Sequence, residues 1–437
     1  QSFADRISAW FVPAVLVIAV LTFVAWFFVI GAGLAYSLMA FTAVIVIACP
    51  CALGLATPTA LMVGTGKAAE RGILIKGGEP LEMACKIDTV IFDKTGTLTH
   101  GRPAVTDVVA LGNLDDKKLL SIAASLERGS EHPLAEAIIK DAADKKLPTQ
   151  KVTVFSAIPG HGVQAKVDGE LYYFGNSRLI NDVAKLKLKS FDAEIQKLQA
   201  DGKTVMILAD SSTVLGLIAV ADYVKETSRV AIEKMHKLGL ETWMITGDNE
   251  PTARAIARQI GITNIIAEVL PQDKAAQVKQ LQQSGRVVAM VGDGINDAPA
   301  LAQADLGIAM GNGTDVAIEA GGIVIINNRP DDIVEAIRLA RATVGKIKQN
   351  LVFALMYNVA GIPIAARIFA FAGLTLRPEL AGLAMALSSV SVVTNSLTLR
   401  AYRPGKVNWL SIITPIMMTV MFATLFVVFA RMSAAMG

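Results

Sequence analysis

Hydrophobic positions along the chain follow two regimes. In the first, apolar residues run almost unbroken for about 20 positions, the length that crosses the hydrocarbon core of a bilayer. Five such runs are legible, at 10–30, 38–64, 349–372, 380–399 and 411–430. In the second regime, from roughly 67 to 345, β-branched runs such as DTVIF, TWMIT and VVAMV alternate with segments such as TARAIARQIG and KAAQVKQLQQSG. That alternation predicts a parallel sheet flanked by helices. From 103 to 220 it breaks down. A helix-rich start gives way to β-like patches, GVQAKV and LYYFG, which predicts a second domain inserted into the first.

Composition changes this picture little. At 53% hydrophobic and 18% charged, the 437-residue chain is too apolar for an ordinary soluble protein. Its net charge of +3 comes without a basic block, so nothing points to nucleic acid. The placement of positive charge says more. Lys67, Arg71, Lys76, Lys346, Lys348, Arg400, Arg403 and Lys406 gather at the same ends of the apolar runs as the polar region, marking that side as cytoplasmic. The last run is then expected to cross outward, leaving RMSAAMG outside. The first run is followed closely by a second, so no cleavable signal is read. A start at Gln1 reads as a fragment or a processed piece.

One apolar run is interrupted. In IACPCALGLATP (47–58) a proline lies between Cys49 and Cys51. Proline removes a backbone donor and obstructs a carbonyl one turn back, so a helix must kink or unwind there. Unpaired backbone is tolerated at membrane depth only where protein buries it or a cavity receives it. The break therefore predicts a site. The i, i+2 spacing argues against a disulfide framework, and Cys85 has no obvious partner. Thiolates favour soft ions over magnesium or calcium.

The polar region carries chemistry at three strand ends. VIFDKTGTLTHG (90–101) puts Asp93 at the carboxyl end of an apolar strand, where open α/β sheets bind ligands. A carboxylate there can accept a phosphoryl group as an acyl phosphate. Thr95 and Gly96 allow close backbone approach. MITGDN ends a second strand with Thr246, Gly247 and Asp248, and MVGDGINDAP ends a third with Asp293 and Asp297. Lys274 precedes the third strand by one helix, as a cation neutralising the transferred phosphate would. Mg²⁺ prefers a few carboxylates plus water and phosphate oxygens, which Asp93 and Asp293 could supply.

DKTGTLT, TGD and GDGIND, in this order, resemble the P-type ATPases. The likeness implies an α-helical transmembrane region plus an α/β haloacid-dehalogenase-like phosphorylation domain with an inserted α+β nucleotide-binding domain. It divides the chain into transmembrane helices (1–66), a phosphorylation domain in two parts (67–102 and 221–345) around the nucleotide-binding domain (103–220), and further transmembrane helices (346–437). It implies that ATP phosphorylates Asp93, with Lys94, Thr95, Thr246, Gly247, Asp248 and Lys274 around the phosphate and Asp93, Thr95, Asp293 and Asp297 serving Mg²⁺. SEHPL, PGHGV and FGN resemble the heavy-metal branch, which implies that Glu127, His132, Gly160, Gly162, Gly175 and Asn176 surround the adenosine. Read alone, His132 before a proline is a helix-cap neighbour.

In that branch the cargo crosses at the CPC break. Its copper(I) subgroup shows a Tyr-Asn pair and then Met-x-x-Ser-Ser, matched here by Tyr357, Asn358, Met385, Ser388 and Ser389. Met385 and Ser389 lie i, i+4 on one helix face. The zinc subgroup would show a lysine and an aspartate within these spans, and neither occurs in 349–372 or 380–399. The expected activity is ATP-driven export of Cu(I), or of equally soft Ag(I), across a bacterial inner membrane, with Cys49, Cys51, Tyr357, Asn358, Met385 and Ser389 as ligands. A zinc- or cadmium-type pump, a membrane-tethered phosphatase and a non-enzymatic metal sensor are the alternatives. The TGE loop of the family's actuator domain is missing and the run 411–430 is surplus to the family pattern. A fragment of this kind should not turn over alone. Its expected partners are membrane lipid, the missing N-terminal part and a cytoplasmic copper chaperone.

Overall fold

The structure, a computed structural model, describes all residues except 1, 50, 112–113, 131, 294, 312–314 and 436–437. The chain forms two compact units, residues 1–85 with 335–437, and residues 86–334.

The first unit is helical. Its main elements are α1 (Ser2–Val24), α2 (Leu34–Ile47), α3 (Cys51–Ala69), α4 (Pro330–Ala365, from residue 335 onward), α5 (Pro378–Leu397) and α6 (Trp409–Ala435). Among the described residues, four stretches are long and apolar enough to cross a membrane: Ala9–Val29, Leu34–Ala69, Pro378–Ala401 and Trp409–Ala435. The run at 349–372 is not among them. Its helix closes at Ala365, and Asn350, Tyr357 and Asn358 interrupt it.

Val15, Val44, Ile47, Tyr357, Met385, Phe422 and Phe426 pack into one cluster drawn from α1, α2, α4, α5 and α6. The surplus run thus has a structural role, because Phe422 of α6 meets the Tyr357 ring edge to face at 3.8 Å. Small residues bring backbones together elsewhere. A Cβ on Gly64 would fall 2.3 Å from Thr343 Oγ1. A buried polar network ties α3, α4, α5 and α6. Lys346 Nζ donates to Asn395 Oδ1 at 3.0 Å and to the Ser411 carbonyl at 3.2 Å. Asn395 donates to Asn350, which donates to Ser396 Oγ at 2.8 Å and to the Ala56 carbonyl at 3.3 Å. Each bond satisfies a group that would be costly to bury alone.

The second unit is built on parallel strands β1 (Thr89–Asp93), β2 (Glu241–Ile245), β3 (Asn264–Ile266), β4 (Val288–Gly292), β5 (Leu306–Met310) and β6 (Ile323–Ile325). They lie in the order β6-β5-β4-β1-β2-β3. β1, β4 and β5 are buried at every residue, as strands covered on both faces must be. The helix after β2 starts where Asn249 Oδ1 accepts from the Thr252 amide at 3.0 Å, and ends at Gly261 in the left-handed region.

Between β1 and β2 an antiparallel six-stranded sheet is inserted. Its first strand, Ala104–Ala110, pairs with its last, Val214–Ala221, so the two connections to the parent sheet emerge side by side. Asp222 stitches them together, accepting from Thr99 Oγ1, from the Gly101 amide at 3.2 Å and from the Arg102 amide at 3.3 Å. The helices Asp116–Glu127 and Pro133–Asp144 pack on one face of this sheet and Asp192–Ala200 on the other.

Candidate functional site

The parallel sheet determines where the strand-end residues meet. β1 lies between β4 and β2, with Phe92 opposite Val291 and Asp93 opposite Ile245. The residues that follow these three strands, Lys94, Thr246 and Asp293, therefore emerge at one edge. Lys274 Nζ lies 2.6 Å from Asp93 Oδ1 and 2.6 Å from Asp297 Oδ1. Carboxylate oxygens of Asp93, Asp293 and Asp297 lie within 4.8 Å of one another, a spacing one cation can span. Their donor set is all oxygen, which suits Mg²⁺.

Gly96 makes the cradle possible. Its φ is +71°, and a Cβ there would fall 1.6 Å from Asp293 Oδ2. Lys94 Nζ pairs with Asp248 Oδ2 at 2.6 Å, and the Asp248 amide donates to Thr246 Oγ1 at 3.1 Å. Thr95 and Gly247 are exposed at the rim.

Burial dominates the electrostatics. It raises the Asp93 carboxyl to about 7, with Asp297 adding to the rise and Lys274 opposing it. Burial and then Asp297 lift Asp293 to about 6. For Lys274 burial works against the charge, but Asp93 and Asp297 together hold its ammonium well above its ordinary value. A further cation stands at this edge that its sequence context did not single out. Lys225 Nζ donates to the Gly96 carbonyl at 2.6 Å and to Asn328 Oδ1 at 2.9 Å, and burial lowers it to about 8.

In the inserted sheet, Glu127 is 3% exposed and its Oε2 has no partner among the described residues. Burial raises its carboxyl to about 7. His132 is the N-cap of Pro133–Asp144, with Nδ1 accepting from the Leu134 amide at 3.2 Å, and burial lowers its imidazole. Two of the three glycines, Gly162 and Gly175, also meet a packing need. Gly162 and Gly175 are cross-strand partners, and a Cβ on Gly175 would fall 2.2 Å from the His161 carbonyl. Asn176 braces the same corner, donating to the Gly160 carbonyl at 2.8 Å and accepting from the Leu179 amide at 3.1 Å.

The helical unit holds the soft-ion candidates. α2 stops at Ile47 and α3 starts at Cys51, so the helix is broken where the motif lies, while Pro50 itself falls outside the described residues. The break brings the sulfurs of Cys49 and Cys51 face to face. Their Cα atoms are 5.5 Å apart. As thiolates both would be soft ligands.

The Tyr357 hydroxyl donates to Ser391 Oγ at 3.1 Å. Asn358 is 1% exposed with Oδ1 unpartnered among the described residues, and Met385 is 6% exposed. Ser389, chosen for its i, i+4 spacing, is only half-buried and leans back to the Met385 carbonyl at 3.4 Å. Its neighbour Ser388 is fully buried, with Oγ unpartnered among the described residues. The buried Met385 thioether is a soft donor, and the two orphaned oxygens are groups that a buried core ordinarily satisfies. A lysine does touch these helices, Lys346, but it lies 11 positions before Tyr357, about 16 Å along α4.

A family model described as haloacid dehalogenase-like hydrolase matches residues 87–305, half of the chain, and the chain belongs to that family. Its homologues over most of its length are P-type ATPases. It is 53% identical over 406 residues to the probable copper-transporting ATPase PacS of Synechococcus elongatus, covering 92% of this chain and 54% of that protein. It is 51% identical over 401 residues to the copper-exporting P-type ATPase of Bacillus subtilis, covering 92% and 49%. Among solved structures, a zinc-transporting PIB-type ATPase in the E2.Pi state superposes with a TM-score of 0.72 at 36% identity, covering 91% of this chain and 63% of that one. The chain spans about half the length of the curated relatives it matches.

Proposed function

We propose that the chain is the catalytic and ion-conducting part of an ATP-driven exporter of Cu(I), working through a phosphorylated Asp93. The observation that carries this reading is the buried Asp93–Lys274 pair inside a three-carboxylate cradle. An Asp93 carboxylate oxygen attacks the γ-phosphorus of ATP, forming the acyl phosphate as the bond to the ADP oxygen breaks. Lys274 and Lys94 offset charge on the transferred group, and the loop at Gly96 lets it approach the backbone. Mg²⁺, when bound, neutralises phosphate oxygens and would be held by Asp93, Asp293 and Asp297, with Thr95 beside them. Glu127, His132, Gly160, Gly162, Gly175 and Asn176 frame the adenosine, the orphaned Glu127 oxygen accepting from its amino group.

The reduced Cys49–Cys51 pair receives the ion, with Tyr357, Asn358, Met385 and the serines of α5 completing its path. A monovalent soft ion is served by thiolates and neutral oxygen or thioether donors, whereas a divalent one gains from a carboxylate. Phosphorylation of Asp93 drives the switch of access through the covalent connections at 64–89 and 330–349. The soluble unit faces the cytoplasm of a bacterial cell, and the remaining expected partners, an actuator-bearing N-terminal part and a copper chaperone, belong to the same reading. A zinc-type pump is the second reading, favoured by the zinc-transporting structural neighbour alone.

Inside-out vesicles carrying the full-length protein test it. ATP should drive Cu(I) uptake under reducing conditions, and Asp93→Asn should abolish it. Uptake of Zn(II) in place of Cu(I) would establish the second reading, and phosphate release from small esters without metal dependence would establish a phosphatase.

A further inference from the structure

Outside both sites, the helical unit contains an open cavity of about 330 Å³ lined by Arg338, Arg341, Tyr402, Arg403, Gly405 and Lys406. Four of these six residues are cations. Among the described residues only Arg338 has a carboxylate neighbour, Glu335 at 3.4 Å, and that carboxylate also accepts from the Tyr402 hydroxyl at 3.3 Å. Among the described residues no carboxylate lies within ion-pair reach of Arg341, Arg403 or Lys406. Arg71 adds a fifth positive group, its guanidinium 5.8 Å above the Tyr402 ring.

The location narrows what such a cavity can hold. Segment 402–408 joins two stretches that are long and apolar enough to cross a membrane, Pro378–Ala401 and Trp409–Ala435. It must therefore lie at a bilayer face. Beside the cations, Val407, Trp409 and Leu410 are each more than half exposed, an apolar and aromatic edge of the kind found at headgroup depth. Basic pockets between helix ends on the cytoplasmic side are suited to anionic lipid headgroups.

We infer that this cavity binds the phosphodiester headgroup of an anionic phospholipid, with Arg341, Arg403 and Lys406 as its charge partners. Free phosphate would satisfy the cations equally, but it would leave the apolar edge without an occupant. Acyl chains fill that edge.

The test is native mass spectrometry of the full-length protein extracted from mixed phosphatidylcholine and phosphatidylglycerol vesicles. The wild-type protein should retain phosphatidylglycerol in preference to phosphatidylcholine, and excess inorganic phosphate should not displace it. The variant Arg341→Gln/Arg403→Gln/Lys406→Gln should retain at least about tenfold less, given the share each surface cation contributes to lipid attraction. Equal retention by the two proteins would overturn the inference, as would equal retention of the two lipids. Displacement by inorganic phosphate would overturn the lipid assignment and identify a free-anion site. The charge-conserving variant Arg341→Lys/Arg403→Lys covers the case in which the neutralised protein does not fold. It should keep its lipid, and losing it would count equally against the inference.

Discussion

Lys274 and Asp93 are brought together from positions 181 residues apart, and their charged atoms meet at 2.6 Å in a site from which water is nearly excluded. Breaking such a pair leaves an uncompensated buried charge, which is worse than never having buried it. Lys274→Met should therefore lower acid-stable label from ATP at least about 100-fold, the usual cost of removing one preorganised charge partner. Quenched labelling with radioactive ATP measures it. Label near the parent level would remove Lys274 from the machinery.

Gly96 offers a sharper test of the cradle. Alanine there meets both an unfavourable φ and the Asp293 carboxylate. Gly96→Ala should displace Asp293 and raise the Mg²⁺ concentration for half-maximal labelling by about tenfold or more, as loss of one ligand's alignment does. An unchanged Mg²⁺ dependence would mean that Asp293 is not a ligand.

Glu127 predicts a pH dependence. Its carboxyl is raised from 4.5 to about 7 in the folded protein by burial. The native state therefore binds its proton more tightly than the unfolded state does, so its contribution to stability is present below about 4.5 and is lost as pH rises to about 7. Glu127→Gln removes that loss. Hydrogen exchange in the helix Asp116–Glu127 should show the variant better protected at about pH 8, by up to about 3 kcal/mol, and no different at about pH 4. Equal protection at both would show that the carboxylate finds a partner.

How far the sequence speaks for itself follows from these sites. Strand-end acids are legible because a run of apolar β-branched residues announces the strand, and the acid after it can only lie at the edge. Asp93, Asp248 and Asp293 are of that kind. Lys225 and Asp222 are not. Each acts on a loop more than 120 positions earlier, and only the antiparallel pairing of the insert's first and last strands brings them there. The choice between Ser388 and Ser389 also eluded periodicity, since i+3 and i+4 share a helix face and only the neighbouring helices decide which is buried. For Gly162 and Gly175 of PGHGV and FGN, strand pairing adds a reason to lack a side chain that the motif alone does not show.

Asp222 supplies a mechanical prediction. It gathers three donors from the chain leaving β1, and removing it should loosen the insert without unfolding either sheet. Asp222→Ala should lengthen exposure of the 99–103 segment to protease while leaving the circular dichroism spectrum unchanged. Equal cleavage would show that pairing of the two outer strands is sufficient.

The proposed cargo site requires Cys49 and Cys51 as thiolates. The ion can bind only when the pair is reduced, so the central claim, that these sulfurs and Asp93 work together, is tested most directly by labelling Asp93 from ATP in the full-length protein with Cu(I), with and without reductant. Label that rises with Cu(I) only when the thiols are reduced, and that is lost in Cys49→Ala and Cys51→Ala, is the predicted result. Label that ignores Cu(I), or that persists unchanged in both cysteine variants, would contradict the account.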